Sequence, residues 1–249
     1  MRARADSLIS RSQSANDPVT PGRWQDRSVT LEQDWPLFQL RIETPRLVLS
    51  YPTDADLDAL NAVVDRGIHD PNVMPFAVPW TDDPPDVRRQ RSLQFWWGTR
   101  ASWKPTRWNL TLMVTQGTQV LGAQDLRGTD FATTRQVATG SWLGQSHQGH
   151  GIGKEMRAAI LHLAFEGLGA ERSVSEAFED NPASLRVSRA LGYVENGDDL
   201  VARRGRTARL IRLRLDRATW EHNRRHDFRI HGLKSCLPLF GLGNGTVQP

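Results

Sequence analysis

The chain has 249 residues, enough for one domain with a sizeable core or two small ones at most. Hydrophobic residues are only 38% of it, yet nine Trp and eight Phe argue for real packing, so polar tails around an ordinary core are expected and a wholly disordered chain is excluded. The net charge of +4 is a weak surplus, the single cysteine excludes an intrachain disulfide, and no run nears the roughly 20 apolar residues of a transmembrane helix, so a soluble cytoplasmic protein without a membrane partner is expected.

Residues 1–34 read as a flexible tail, in which five Arg balance five acids and no apolar stretch makes a signal peptide or anchor. Leu40, Ile42 and Leu47–Leu49 predict two short extended pieces around Thr44-Pro45-Arg46. Thr53 caps a helix from Ala55 to about Arg66, with Leu57, Leu60 and Val64 at helical spacing. Residues 68–86 are a long proline-rich loop, and a second helix runs from Asp86 to about Ser102. Strands follow at Trp108–Thr115, Gln119–Leu126 and Gln136–Leu143, the first two joined as a hairpin. A glycine-rich loop then opens a helix from about Gly151 to Glu166, ended by Gly167 and Gly169. Arg172–Phe178 is a strand; Asn181 caps a helix with Pro182 at its first position, and Gly192 stops it. Tyr193–Glu195 and Ala208–Leu215 complete a mixed α/β layer. The expected organisation is a tail (1–34), one catalytic domain (35–222) and a C-terminal extension (223–249).

The segment from Ser141 to Lys154 carries the chemistry. A strand leads into Gln148-Gly149-His150-Gly151-Ile152-Gly153, and the glycines open a helix whose first N–H groups are unpaired and carry partial positive charge. Glycines let a pyrophosphate approach the backbone, so the pattern is an anion cradle. It is neither a Walker loop nor a Rossmann turn, because Gly149, Gly151 and Gly153 have the wrong spacing. No set of His or Cys falls at zinc-ligand spacing, so no metal is expected.

Two signatures in this order resemble the GNAT superfamily of CoA-dependent N-acetyltransferases. Gln148, Gly151 and Gly153 match its Gln/Arg-x-x-Gly-x-Gly/Ala motif, and Asn181-Pro-Ala-Ser184 followed by Leu191-Gly192-Tyr193 matches its second signature. Thr44-Pro45-Arg46-Leu47, Ser141-Trp142-Leu143 and Ala164-Phe165 are similar to the branch with ribosomal-protein N-acetyltransferases. His69-Asp70-Pro71, Pro79-Trp80-Thr81 and Pro238-Leu239-Phe240-Gly241 resemble an actinobacterial subgroup with succinyl-CoA-using members. The resemblance spans roughly residues 35–241.

It implies an α/β GNAT fold: a mixed, mostly antiparallel central sheet with a V-shaped splay between strands 4 and 5, flanked by helices. It implies acyl-CoA, acetyl or succinyl, as co-substrate and a primary amine as acceptor, whether a protein N-terminus, a lysine or a small amine. The backbone of Trp142, Leu143 and Gly144 is implied to pair with pantetheine, and Gln148, Gly149, His150, Gly151, Ile152, Gly153 and Lys154 to hold the pyrophosphate. Asn181 is implied to touch the pantetheine arm, and the Leu143 N–H to stabilise the oxyanion. Where the family often has Tyr as the acid, this chain has Ser188, with Ser184 the other candidate. The strand before the loop lacks the family's Glu; Glu176 is the best substitute as base and Asp125 the next.

His69, Phe76 and Trp80 of the proline-rich loop are expected to wall the acceptor channel. A succinyl carboxylate would need a buried cation or several donors, for which Arg41, His69, Thr139 and Ser141 are candidates. The alternative function is a CoA-binding or partner-binding module with little catalysis. Between Arg203 and Lys234, eleven basic residues face three acids, but without aromatic interleaving the run argues poorly for nucleic acid. Self-association into a homo-oligomer is left open. Cys236 lies apart from every motif.

Overall fold

A computed structural model of the chain describes residues 30–243. The expected tail lies outside the described residues up to position 29. The last part of it, Leu31–Asp34, forms one helical turn (α1), closed by reciprocal capping between Thr30 and Gln33. Two short strands, β1 (Arg41–Glu43) and β2 (Val48–Ser50), flank the Thr44-Pro45-Arg46 turn. Helix α2 (Asp54–Asp65) starts on a capping box in which the Thr53 N–H donates to Asp56 Oδ2 at 2.8 Å. Helix α3 (Pro85–Ala101) has Pro at its first position.

The central elements follow the sequence closely. They are β3 (Arg107–Gln116), β4 (Gln119–Thr129), a short helix α4 (Phe131–Thr134), β5 (Gln136–Leu143), α5 (Ile152–His162), β6 (Arg172–Phe178) and α6 (Pro182–Ala190). Helix α5 does not stay α-helical to Glu166: from Leu163 to Gly167 it widens into a π-helical turn. The expected three-residue strand at Tyr193 is instead β7 (Val194–Arg203), ten residues paired with β8 (Arg206–Asp216) across Arg204-Gly205, both at positive φ. That is the backbone a two-residue hairpin needs. Helix α7 (Arg217–Asn223), strand β9 (Arg229–His231), helix α8 (Leu233–Cys236) and a 3-10 turn at Leu237–Phe240 end the described chain.

All nine strands form one sheet in the order β7-β8-β6-β5-β4-β3-β2-β1-β9. Every pairing is antiparallel except β5 with β6. Those two run parallel for three residues only, ending at Ala138 opposite Val174, and then separate. This is the expected splay. In chain order it falls between the fifth and sixth strands, because the opening turn contributes two strands.

Alternation on the strands sets the layers. Leu110, Leu112, Val114, Leu126 and Val137 join Met156, Ile160 and Leu163 of the α5 segment in the main core. Met113, Ala123 and Trp142 turn to the opposite face, against Leu57 and Leu60 of α2 and Trp96 of α3. The C-terminal extension adds β9 beside β1 and buries Phe228, Cys236 and Phe240 in the main core.

Candidate active site

Beyond Ala138, the β6-facing edge of β5 has no strand partner among the described residues, so Thr139–Leu143 form one wall of a V, bridged at its base by the Ser175 hydroxyl donating to the Thr139 carbonyl at 3.3 Å. The glycine loop stands at the top of this wall. Gly149 and Gly151 have φ of 80° and 77°, the left-handed region that glycine enters without strain. Gly151 is the N-cap of α5, and no side chain caps that helix. Its leading N–H groups therefore face outward from an uncapped helix start. His150 and Lys154 are exposed beside them, and Ile152 is buried beneath.

The loop is anchored from two sides. The Gln148 side-chain amide donates to the carbonyls of Ile68 (2.8 Å) and Leu143 (3.0 Å), so this side chain points inward and shapes the loop. Arg46 donates Nε to Glu155 Oε2 (2.6 Å) and Nη1 to the His150 carbonyl (3.2 Å). Glu155 also accepts from the Thr44 hydroxyl at 2.6 Å. The Thr44-Pro45-Arg46 turn thus buttresses the cradle and adds a half-exposed cation next to Gly151. The motif was legible in the sequence, but its contact with the loop, more than a hundred residues away, was not.

Asn181 caps α6, its Oδ1 accepting from the Ser184 N–H at 3.2 Å. Ser184 is half-buried, while Ser188, one turn on, is fully buried. Ser188 Oγ accepts from Arg157 Nη1 at 2.9 Å, and Arg157 Nη2 donates to Ser141 Oγ at 3.0 Å. Arg157 is a residue the sequence reading missed. It projects from α5 across the V, is 5% exposed, and has no carboxylate in ion-pair reach among the described residues. Its Nε is buried without a partner, as is Gln124 Oε1 on the same face of the sheet. Desolvation works against this cation, offset in part by Tyr193 and Asp125. The one signal for it was an arginine inside a helix whose neighbours are apolar.

Thr139 and Ser173 both bond the Tyr193 hydroxyl, at 3.3 and 2.7 Å, so the floor of the V is polar. Arg41, by contrast, is exposed on β1 and ion-paired with Glu43, with three strands between it and β5. It does not reach the V, because the sheet places β1 near the opposite edge.

The carboxylates lie on the other face of the sheet. Asp125 on β4 sits opposite Gly140 of β5, and a Cβ on Gly140 would come within 2.5 Å of Asp125 Oδ1. That oxygen is buried without a hydrogen-bond partner, while Oδ2 meets Arg127 Nε at 3.2 Å. Burial pushes the Asp125 carboxyl above the usual range, and the Arg127 cation only partly offsets it. Glu176 on β6 is exposed. The two carboxylates therefore stand on opposite banks of the opening.

The proline-rich loop crosses the upper end of this face. His69, Phe76, Trp80 and Trp142 form a run of ring contacts with centroids 5.7, 5.3 and 6.5 Å apart. His69 is braced within the loop: Nδ1 bonds the Asp70 carbonyl and Nε2 the Thr81 hydroxyl, both at 2.7 Å. Arg203 and Arg204 at the β7–β8 turn hold the loop through the carbonyls of Met74 (2.8 Å) and Pro71 (3.0 Å), and Arg204 also pairs with Asp82. Much of the basic run is similarly spent inside the molecule, as in Arg209–Glu179, Arg212–Asp199, Arg217–Glu171 and Arg224–Glu166. Cys236 is buried and its thiol is pushed up to about 11, so it stays protonated. Among the described residues, no group of His, Cys, Asp or Glu is placed to hold a metal ion, and no helix is long and apolar enough to cross a membrane.

Comparison with known proteins agrees with this geometry. Residues 46–194 match the acetyltransferase (GNAT) domain model. Mycobacterium smegmatis RimJ in complex with CoA-disulfide is similar at TM-score 0.60 and 18% identity, covering 72% of this chain and 85% of that one. RimL, a ribosomal L7/L12 alpha-N-protein acetyltransferase in complex with coenzyme A, is similar at 0.57 and 18%, covering 70% and 95%. The microcin C7 self-immunity acetyltransferase MccE, in complex with acetyl-CoA and AMP, is similar at 0.56 and 19%, covering 69% and 93%.

Proposed function

We infer, for a chain that belongs to the GNAT acetyltransferase family and is an acyl-CoA N-acyltransferase, that the V between β5 and β6 holds the acyl thioester and that the α-amine of a protein N-terminus attacks it directly. The observation that carries this reading is the parting of β5 from β6 beside an uncapped, glycine-led helix start. Leu143, between Trp142 and the internally bonded Gly144, offers backbone to pantetheine, and Gly149–Lys154 offer N–H groups and one lysine to the pyrophosphate. Asn181 stands near the arm.

The amine nitrogen bonds to the thioester carbon, and the Leu143 N–H receives the developing oxyanion. The C–S bond then breaks, giving an amide and CoA thiolate. The proton lost by nitrogen ends on sulfur, so no other reactant is needed. We place Asp125 ahead of Glu176 as base, since burial raises its proton affinity toward that of the amine. Ser188 is too weak an acid to protonate sulfur alone; with its oxygen held by Arg157 it donates a hydrogen bond to the thiolate. The protonated, buried Cys236 makes a poor nucleophile for a covalent acyl-enzyme route.

An α-amine acceptor fits the modest base, because its pKa of roughly 7.7–8.0 leaves a neutral fraction that lysine, near 10.4, lacks. The alpha-N-protein activity of a similar structure supports the same choice. Mass spectrometry of a peptide with one free α-amine and one internal lysine tests it: acylation at the N-terminus is expected, and acylation at the lysine instead would overturn the acceptor.

A second reading concerns the donor. A buried guanidinium without a carboxylate favours a dicarboxylic acyl group such as succinyl, whose free carboxylate would complete the pair. Comparison of kcat/KM for succinyl-CoA and acetyl-CoA tests it. Succinyl-CoA is expected to lead by about ten-fold or more and to lose that lead in Arg157→Gln, since one charged hydrogen bond is worth ~1.5–3 kcal/mol. An acetyl-CoA preference in the native chain removes the succinyl reading and leaves the transferase.

A further inference from the structure

Below Asp125, on the face that carries the two carboxylates, a cleft of about 990 Å³ lies between the C-terminal half of α3 and the sheet. Its floor runs along β5 from Gln136 to Ala138 and along β6 through Val174 to Glu176. Ala138, the last of its β5 residues, is two positions before Gly140 on the same face of that strand, where the amine would meet the thioester. Four residue steps of strand from Gln136 to Gly140 make about 13 Å, the length of about four residues of extended peptide.

The lining is charged in one sense. Lys104, Arg107 and Arg127 stand against one carboxylate, Glu176. Arg127 is engaged by Asp125, but Lys104 and Arg107 are exposed and have no acidic partner among the described residues. Among the described residues Arg66, Arg186, Arg206 and Arg229 are also exposed and outside the ion pairs, but none of them lines the cleft. The backbone that carries the two cations is fixed. Lys104 N–H donates to the Arg107 carbonyl at 3.0 Å and Arg107 N–H returns a bond to Lys104 at 2.9 Å, closing a tight turn through Pro105 and Thr106. The C-terminal extension buttresses that turn: Trp103 Nε1 donates to the Leu239 carbonyl at 2.8 Å, and Gly241 lies against the Pro105 carbonyl. Phe95, 50% exposed, gives the opposite wall an apolar contact.

We propose that this cleft is an acceptor-peptide site that selects polypeptides with acidic side chains in the first few positions after the acylated amine. The proposal rests on the reading that the amine enters from this face. Cations on a fixed turn beside a peptide-length groove give charge complementarity for carboxylates.

The test uses the full chain and three peptide series with the same free N-terminal residue, whose next four positions are acidic, neutral or basic. The acidic series is expected to exceed the neutral one in kcat/KM by about ten-fold and the basic one by more, a lead that shrinks as salt shortens screening below about 8 Å. The double variant Lys104→Glu, Arg107→Glu is expected to abolish or invert the order, whereas Lys234→Glu, outside the cleft, leaves it. Equal rates across the series, or an order unmoved by the double reversal, would overturn the proposal. So would tight RNA binding that is lost in the double variant while the peptides stay undiscriminated. Turnover of a small neutral amine separates the two readings: if it persists while peptide charge has no effect, the transferase stands and only the cleft assignment fails.

Discussion

Asp125 is the residue on which activity and stability pull in opposite directions. Its carboxyl is raised by burial, so its folded-state value lies above the unfolded one. A group shifted this way favours the fold below its unfolded pKa and loses that contribution as pH rises through the folded value. Asp125→Asn is therefore expected to melt higher than the native chain at pH 7–8. Its kcat/KM should fall by about 10²-fold, the usual range for a general base. The native acid limb should lie above the roughly 3.9 of an ordinary Asp and vanish in the variant. A variant that melts lower and keeps its activity would remove Asp125 from the mechanism. The sequence named both carboxylates, because alternation puts each on a definite face. It placed Glu176 first and Asp125 next as base; the depth of Asp125 depends on Gly140 of the neighbouring strand, which the sequence does not show. Arg157 was invisible for a similar reason: its partners Ser141 and Ser188 lie sixteen and thirty-one residues away.

At the scale of elements, the glycine loop and the proline-rich loop make separable demands. Gly151→Asp places a residue that tolerates positive φ and caps helices well, so the fold should hold. Its carboxylate would occupy the anion's place, and CoA affinity measured by calorimetry should fall at least ten-fold, about 1.4 kcal/mol. Unchanged affinity in the folded variant would free the loop from its assigned role. Trp80→Ala removes the link between the loop and Trp142. It should raise KM for the amine several-fold and leave KM for acyl-CoA nearly unchanged, and movement of both together would make the loop a structural connector. β5 and β6 were legible residue by residue, because their ends are marked by turns and glycines. β7 was not: Asn196-Gly197-Asp198-Asp199 is polar and almost wholly exposed, so it carries no buried face to alternate. The π-turn at Leu163 likewise leaves no mark on a pattern of apolar residues.

Across the whole molecule, the C-terminal extension completes the core and steadies the acceptor face. Phe240 is fully buried, with its ring 4.9 Å from Trp108 and 5.6 Å from Trp103. Phe240→Ala is expected to cost about 3–5 kcal/mol in denaturant unfolding, the range for a buried aromatic truncated to a cavity. A loss below about 1 kcal/mol would show that the extension is not part of the cooperative unit. The basic run that ends in this extension argued poorly for nucleic acid, and sequence could not show how many of its arginines are paired. Those pairs are individually worth little, about 0–1 kcal/mol, and one of them, Arg204–Asp82, ties the β7–β8 hairpin to the roof of the site. The central claim joins that roof, the V and the glycine loop in one reaction. It is tested most directly by following CoA thiol release from acyl-CoA with a peptide bearing a free α-amine and with the same peptide Nα-blocked. The account predicts release matched one-to-one by acylated peptide with the free amine, and near-background release with the blocked one. CoA binding without product, or equal release from both peptides, would contradict it.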